Sequence, residues 1–168
     1  EIAYAAKKLH DMGFHIEMKF IGPSWGWYGS KFLSLIELLD PTHEFLIWNG
    51  DESFNTLHRS YKDSDAFVFG SSCENLPNIL LEAMASGLPI VSSDSGPMPE
   101  VLSDSGIYFD PLNIDSISSS MLKIMKEAHL RELLSKLSWE RSKQYTWEKC
   151  ANQTFDFIHS IISKVKIK

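Results

Sequence analysis

The sequence predicts an α/β fold, a Rossmann-like doubly wound parallel sheet followed by C-terminal helices. Three observations carry this. Short apolar runs alternate with segments of helical period through Phe109. The run Ala66–Phe69 (AFVF) is apolar throughout, as a strand buried on both faces is. From Ile114 onward only helical patterning remains. Strand–helix alternation closed by terminal helices describes an open parallel sheet, whose ligands lie beyond the carboxyl ends of the strands.

Taken in order, Glu1 to Met12 reads as a helix with Gly13 as its C-terminal cap. His15 to Ile21 (HIEMKFI) alternates as a strand does and runs into the turn-rich segment GPSWGWYGS. Lys31 to Leu39 is helical. Phe45 to Trp48 is a short strand that stops at the turn signal Asn49-Gly50-Asp51. Leu57 to Asp63 is a short helix, and Ala66 to Phe69 is the next strand. A loop at Ser71–Ser72 leads to a helix from Asn78 to Ser86, capped by Gly87, and then to a strand at Leu88–Ser92. A short helix at Pro99–Leu102 precedes the last strand, Gly106–Phe109. Three helices close the chain: Ile114–Glu127, His129–Tyr145 and Trp147–Lys164. No internal repeat and no low-complexity tract interrupts this order.

The bulk numbers narrow the function classes. The 168 residues fit one domain or one large piece of one, and 43% hydrophobic with 23% charged residues is a globular composition. The net charge of −6 argues against a broad nucleic-acid face, which needs clustered Lys and Arg. A single small anion could still be held by backbone amides. Cys73 and Cys150 show neither metal-ligand spacing nor a disulfide framework, which fits a reduced, cytoplasmic setting. No apolar run approaches the roughly 18 residues of a membrane span. The chain opens at Glu1 inside a helix and without Met, so we expect a piece of a longer protein.

The stretch Ser71–Asp94, SSCENLPNILLEAMASGLPIVSSD, concentrates the chemistry. Asn78 follows Pro77 and is placed to cap the helix that starts there. The free amides of that first turn, with the helix dipole, form an anion site suited to a phosphate or diphosphate. Glu82, about one turn in, can accept hydrogen bonds from vicinal hydroxyls such as those of a ribose. Glu74, on the preceding loop, can reach the other side of the same phosphates. A diol at one end, a sugar at the other and phosphates between them describe a nucleotide sugar. Each element also has an ordinary reading: Glu82 as a solvated helix residue, Glu74 as loop surface, Asn78 as a cap without a ligand. The pair of glutamates alone does not decide between them.

The whole stretch is more specific. Glu74, seven residues, Glu82, then Ala83-Met84-Ala85-Ser86-Gly87-Leu88-Pro89-Ile90-Val91 resembles the signature of retaining GT-B glycosyltransferases of group 1, glycosyltransferase family four. The resemblance continues through Ser92-Ser93-Asp94-Ser95-Gly96, Pro99-Glu100-Val101, Gly106-Ile107-Tyr108, Asp110-Pro111, Leu130-Arg131 and Trp147-Glu148. Upstream, Phe20-Ile21-Gly22-Pro23, Trp48-Asn49-Gly50 and Leu57, Tyr61, Ser64, Asp65, Ala66 fall in the family's order.

The resemblance implies that the chain is the C-terminal, donor-binding half of a GT-B fold, moving a hexose from a nucleotide diphosphate sugar to an acceptor hydroxyl with retention. It implies that Glu74 contacts the donor sugar, as the catalytic-centre residue, and that Glu82 binds the ribose. It places the phosphate turn at Asn75, Leu76, Pro77, Asn78 and Ile79. It sets Asn49, Gly50 and Asp51 beside the base, and Gly22, Pro23 and Ser24 near the phosphates. Asp94, Gly96 and Glu100 shape the turn after a strand. No cofactor and no essential metal are implied. The acceptor, a sugar, lipid or polysaccharide, would be bound by an N-terminal domain absent from this sequence. The parent protein would be cytoplasmic, peripheral to the inner face of the membrane, and engaged in cell-envelope polysaccharide synthesis with UDP or GDP as the donor nucleotide.

Two departures stand out. The family's usual Gly-Phe-Gly after the first glutamate is replaced by Asn75-Leu76-Pro77, which implies an altered donor fit, and Pro77 supplies no amide donor. The Arg and Lys that neutralise the diphosphate in the family would precede Glu1, and Lys7 and Lys8 lie inside the helix. The isolated chain is therefore expected to be inactive. Two rival readings are a GT-B-type sugar-nucleotide epimerase, which would need its own acid–base groups in the cleft, and a non-catalytic nucleotide-binding or scaffold domain. Trp25, Trp27 and Tyr28 either cover the end of the sheet or line a cleft. Cys73 reads as a semi-buried strand-end residue, since nothing basic flanks it. Phe155, Phe157, Ile158, Ile161 and Ile162 of the last helix predict an exposed apolar stripe and self-association.

Overall fold

The computed structural model describes residues 1–164. Helix α1 (Ile2–Asp11) leads to β1 (Met18–Ile21), α2 (Gly26–Leu39), β2 (Leu46–Gly50), α3 (Phe54–Lys62) and β3 (Phe67–Phe69). Then come α4 (Asn78–Ala85), β4 (Ile90–Ser93), α5 (Met98–Leu102) and β5 (Gly106–Phe109). Helices α6 (Ile114–Lys126), α7 (Ala128–Ser142) and α8 (Trp147–Lys164) complete the chain. All strand pairs are parallel, as the alternation requires. β1 pairs with β2, Met18 opposite Leu46, and β3, β4 and β5 form a second run, Phe67 opposite Ile90 and Ile90 opposite Gly106.

The sheet has a core on each face. On one face, Ala3, Ala5, Ala6 and Leu9 of α1, Ile36 of α2 and Ile117, Met121 and Ile124 of α6 pack with Val91 and Phe109. On the other, Tyr61 of α3, Leu80, Ala83 and Met84 of α4 and Met98, Val101 and Leu102 of α5 pack with Phe69 and Ile90. Ile90 and Val91 are adjacent and feed opposite cores, which is the period of two of a strand covered on both sides. All four residues of β4 are buried accordingly.

Polar groups fasten the layers. Ser138 Oγ donates to Leu88 O at 2.8 Å, joining α7 to the approach of β4. Arg131 Nη1 donates to the carbonyls of Ile124 and Met125, closing the C-terminal end of α6. Buried Asp40 accepts from the amides of Glu44, Phe45 and Leu46 and from Thr42 Oγ1, and so fixes the turn into β2.

Several boundaries differ from expectation. α2 begins at Gly26, not Lys31, so Trp27 and Tyr28 are helical; Gly26 and Gly29 disguised that turn as a loop. β1 starts only at Met18, where pairing with the β2 segment begins through Met18 N and Phe45 O. β2 runs on through Asn49 and Gly50, because Gly22 N bonds Gly50 O at 2.8 Å. α7 ends at Ser142, short of Tyr145. β5 and α8 fall where the sequence placed them.

Candidate functional site

The carboxyl ends of the strands carry two groups of residues. The first surrounds the start of α4. The loop before it is tied to β4 by Ser93 Oγ, which donates to Ser71 O. Pro77 is fully buried and is the N-cap, so Asn78 is the first helical residue and not the cap. No side chain caps this helix. Asn78 N turns back to Leu76 O at 2.9 Å, and Leu81 N makes the first helical bond, to Pro77 O. Ile79 N and Leu80 N are left without an acceptor among the described residues. Of the Asn75–Ile79 stretch singled out in the sequence, Pro77 has no amide donor and Asn78 N is occupied, while Ile79 N stays open; Leu80 is fully buried.

The two glutamates flank this end. Glu74 lies half-buried on the loop and makes no hydrogen bond among the described residues. Glu82 is half-buried on α4, and its Oε2 accepts from the phenol of Tyr61 at 3.2 Å. Tyr61 is itself buried, edge-on to Phe67 with ring centroids 5.9 Å apart. Burial, with the Glu82 carboxylate beside it, pushes the Tyr61 phenol well above its usual value, so it remains a donor at neutral pH. Glu82 is thus a held carboxylate and not a freely solvated one. Tyr61 is a site residue that the sequence hides. Its spacing from Leu57 marks the inward face of α3, but nothing in the sequence links it to a glutamate 21 positions on.

The second group is the loop pair after β1 and β2. Gly22 adopts φ +142°, a region open mainly to glycine. Its amide bonds Gly50 O, and its carbonyl accepts Trp48 Nε1 at 3.1 Å. Gly22–Pro23 and Asn49–Asp51 are therefore neighbours, although the resemblance assigns the first to the phosphates and the second to the base. Gly22 and Asp51 line one cavity of about 740 Å³ together with Ile79 at the start of α4, so both groups open onto the same space. Glu74, Asn75, Leu76, Asn78 and Glu82 do not line it. Asn75, Leu76, Asn78 and Asn49 are exposed.

Trp25 and Tyr28 are each 80% exposed and do not cover the sheet's end. With Gly22 and Pro23 they line a second, open cavity of about 440 Å³. Cys73 is exposed on the loop and is not a semi-buried strand-end residue. Among the described residues no group of His, Cys, Asp or Glu is placed to hold a metal ion, and no helix is long and apolar enough to cross a membrane.

Residues 6–139 match the family described as glycosyl transferases group 1. The chain belongs to that family, and its α/β architecture is that of the GT-B glycosyltransferases. The O-antigen chain mannosyltransferase B of Escherichia coli is 34% identical over 96 residues, which cover 57% of this chain and 25% of the relative. Sucrose-phosphate synthase from Thermosynechococcus elongatus superimposes with a TM-score of 0.81 at 18% identity, over 96% of this chain and 42% of that one. Anabaena HepE, in complex with UDP and glucose, superimposes with a TM-score of 0.78 at 14% identity, over 98% of this chain and 44% of that one. At these identities the structural matches show the fold. The chain spans about a quarter of the length of its curated mannosyltransferase relative.

Proposed function

We propose that this chain is the donor-binding half of a retaining glycosyltransferase that takes a hexose from a nucleotide diphosphate sugar. The observation that carries the reading is the uncapped start of α4, with a free amide at exposed Ile79, set between two half-buried carboxylates. That amide and the helix dipole would hold the diphosphate. Glu82, oriented by Tyr61, would accept from the ribose diol, and Glu74 from hydroxyls of the sugar. The loop pair Gly22–Pro23 and Asn49–Asp51 would border the phosphates and the base.

In the transfer, the acceptor oxygen bonds to the anomeric carbon as the bond to the diphosphate oxygen breaks. The diphosphate leaves with the electron pair, and the acceptor proton passes to it. Charge therefore develops on the diphosphate, where donors fixed in advance lower the barrier most. Backbone amides fill that role without a metal or a cofactor. The mannosyl donor implied by the Escherichia coli relative's name and the UDP and glucose of the Anabaena complex support a hexose nucleotide as substrate. The acceptor, a sugar, lipid or polysaccharide, would be bound by the rest of the parent protein, working at the cytoplasmic face of the membrane.

Calorimetric titration with UDP, GDP and ADP tests the reading. One nucleotide should bind selectively to the parent polypeptide, and Glu82→Ala should weaken it about tenfold or more, as expected for loss of charged hydrogen bonds. Equal or absent binding of all three, unchanged by the substitution, would refute it.

A further inference from the structure

The cavity of about 440 Å³ beside the start of α2 is built from rings. Trp25, Tyr28 and Phe32 recur at three- and four-residue spacing, so one side of α2 faces it. Phe20 of β1 and Trp48 of β2 supply the facing wall. Phe32 and Phe20 meet edge-on, ring centroids 5.1 Å apart, and both pack on the core beneath. Trp48 donates its indole N–H to Gly22 O, so its ring is fixed in place with that donor already used. Gly29 lets the loop fold tightly against the helix: a Cβ there would meet Ser24 C at 2.2 Å. The walls are therefore set before any ligand arrives, while Trp25 and Tyr28 stand open to solvent.

The chemistry of the lining selects the occupant. Among the residues that line this cavity, none carries a charge. An anion would meet no cation there, in a chain whose net charge is −6, and a cation would meet no carboxylate. Ser24 and Tyr28 bring hydroxyls to the same space. A neutral ring with polarised C–H groups on its face and hydroxyls at its edge matches both features. Its C–H groups lie against the electron-rich faces of the aromatics, and its hydroxyls reach the polar rim. A pyranose has this form. Phe20, Ile21 and Gly22 line both this cavity and the one of about 740 Å³, so a sugar bound here lies beside the candidate donor site and outside it.

We propose that the aromatic cavity binds a neutral pyranose unit of the acceptor glycan, one other than the unit that reacts. Trp25 and Tyr28 stack on it, and Trp48 is the fixed wall behind. The acceptor role rests on the transferase reading; the affinity for a neutral sugar does not.

Calorimetric titration of the parent polypeptide with neutral trisaccharides of glucose, mannose and N-acetylglucosamine tests this. At least one should bind in the millimolar range or tighter. Trp25→Ala should weaken it about five- to tenfold, as loss of one stacked ring does, and Trp25→Phe should restore most of the loss. Trp27→Ala should leave it unchanged, because Trp27 lies off the cavity with Lys31 Nζ over its ring at 4.9 Å. Nucleoside diphosphate affinity should stay the same in all three variants. Failure of nucleotide binding with trisaccharide binding intact would refute the donor reading alone. Absence of trisaccharide binding, or binding that ignores Trp25→Ala, would overturn the proposal. So would a loss of nucleotide affinity in Trp25→Ala, which would give the rings to the base. Flotation with phosphatidylethanolamine–phosphatidylglycerol vesicles that Trp25→Ala and Trp27→Ala reduce equally, with no trisaccharide bound, would overturn it in favour of a lipid surface.

Discussion

The two halves of the sheet are built to different standards. In the β3–β5 half, every residue of β4 is buried, and Leu80, Ala83 and Met84 of α4 are fully enclosed. In the β1–β2 half, β1 alternates between half-buried and exposed residues, and the cap and first turn of α2 carry the exposed Trp25, Trp27 and Tyr28. The first half presents Glu74, Glu82 and the Ile79 amide; the second presents Gly22 and Asn49–Asp51. Under the proposed function, the rigid half holds what all nucleotide sugars share, the ribose and the diphosphate. The open half meets what varies among them.

The largest test of that contrast is a pair of truncations. Met84→Ala should cost about 2–5 kcal/mol in urea unfolding, as buried truncations that leave cavities do. Trp25→Ala should change stability by less than about 0.5 kcal/mol. Equal costs would mean that the halves are packed alike.

Next comes Asp40, the one strong polar anchor described in the β1–β2 half. Burial raises its pKa, but hydrogen bonds from Leu46, Phe45 and Glu44 amides and Thr42 outweigh this and hold it at about 2, below the ordinary 3.8. A carboxyl depressed on folding stabilises fully above its unfolded value. That contribution, about 2 kcal/mol, is lost as pH falls through the range from about 4 to about 2. Asp40→Asn should flatten the acid limb of the stability–pH profile; an unchanged limb would assign acid unfolding elsewhere.

Tyr61→Phe removes one hydrogen bond and little volume. It should cost about 1 kcal/mol of stability and weaken nucleotide binding several-fold through a less ordered Glu82. In Glu82→Gln, the further effect of Tyr61→Phe on binding should shrink; fully additive losses would separate the two residues. The smallest expected effect is on α8, which has no buried residue among those described. Phe155→Ala should leave unfolding within about 0.5 kcal/mol, while reducing any concentration-dependent sedimentation of the chain.

Most of the fold was legible because its signals are local. Gly106–Phe109 is a short apolar run between turn residues, and Trp147–Lys164 has helical period without a breaker. The start of α2 was missed because glycines among aromatics resemble a loop, whereas Gly26 only sets the entry to the helix. At the site, the glutamates and the helix start between them were readable from spacing. Two features were not. Asn78 resembles a cap, but buried Pro77 takes that position. The Tyr61–Glu82 bond joins two helices on the same side of the sheet.

The most direct measurement of the central claim is amide NMR of Ile79 during titration with a nucleoside diphosphate and with the matching nucleoside. The account predicts that this amide shifts with the diphosphate and scarcely moves with the nucleoside. Shifts confined to other residues, or equal for both ligands, would contradict an anion cradle at the start of α4.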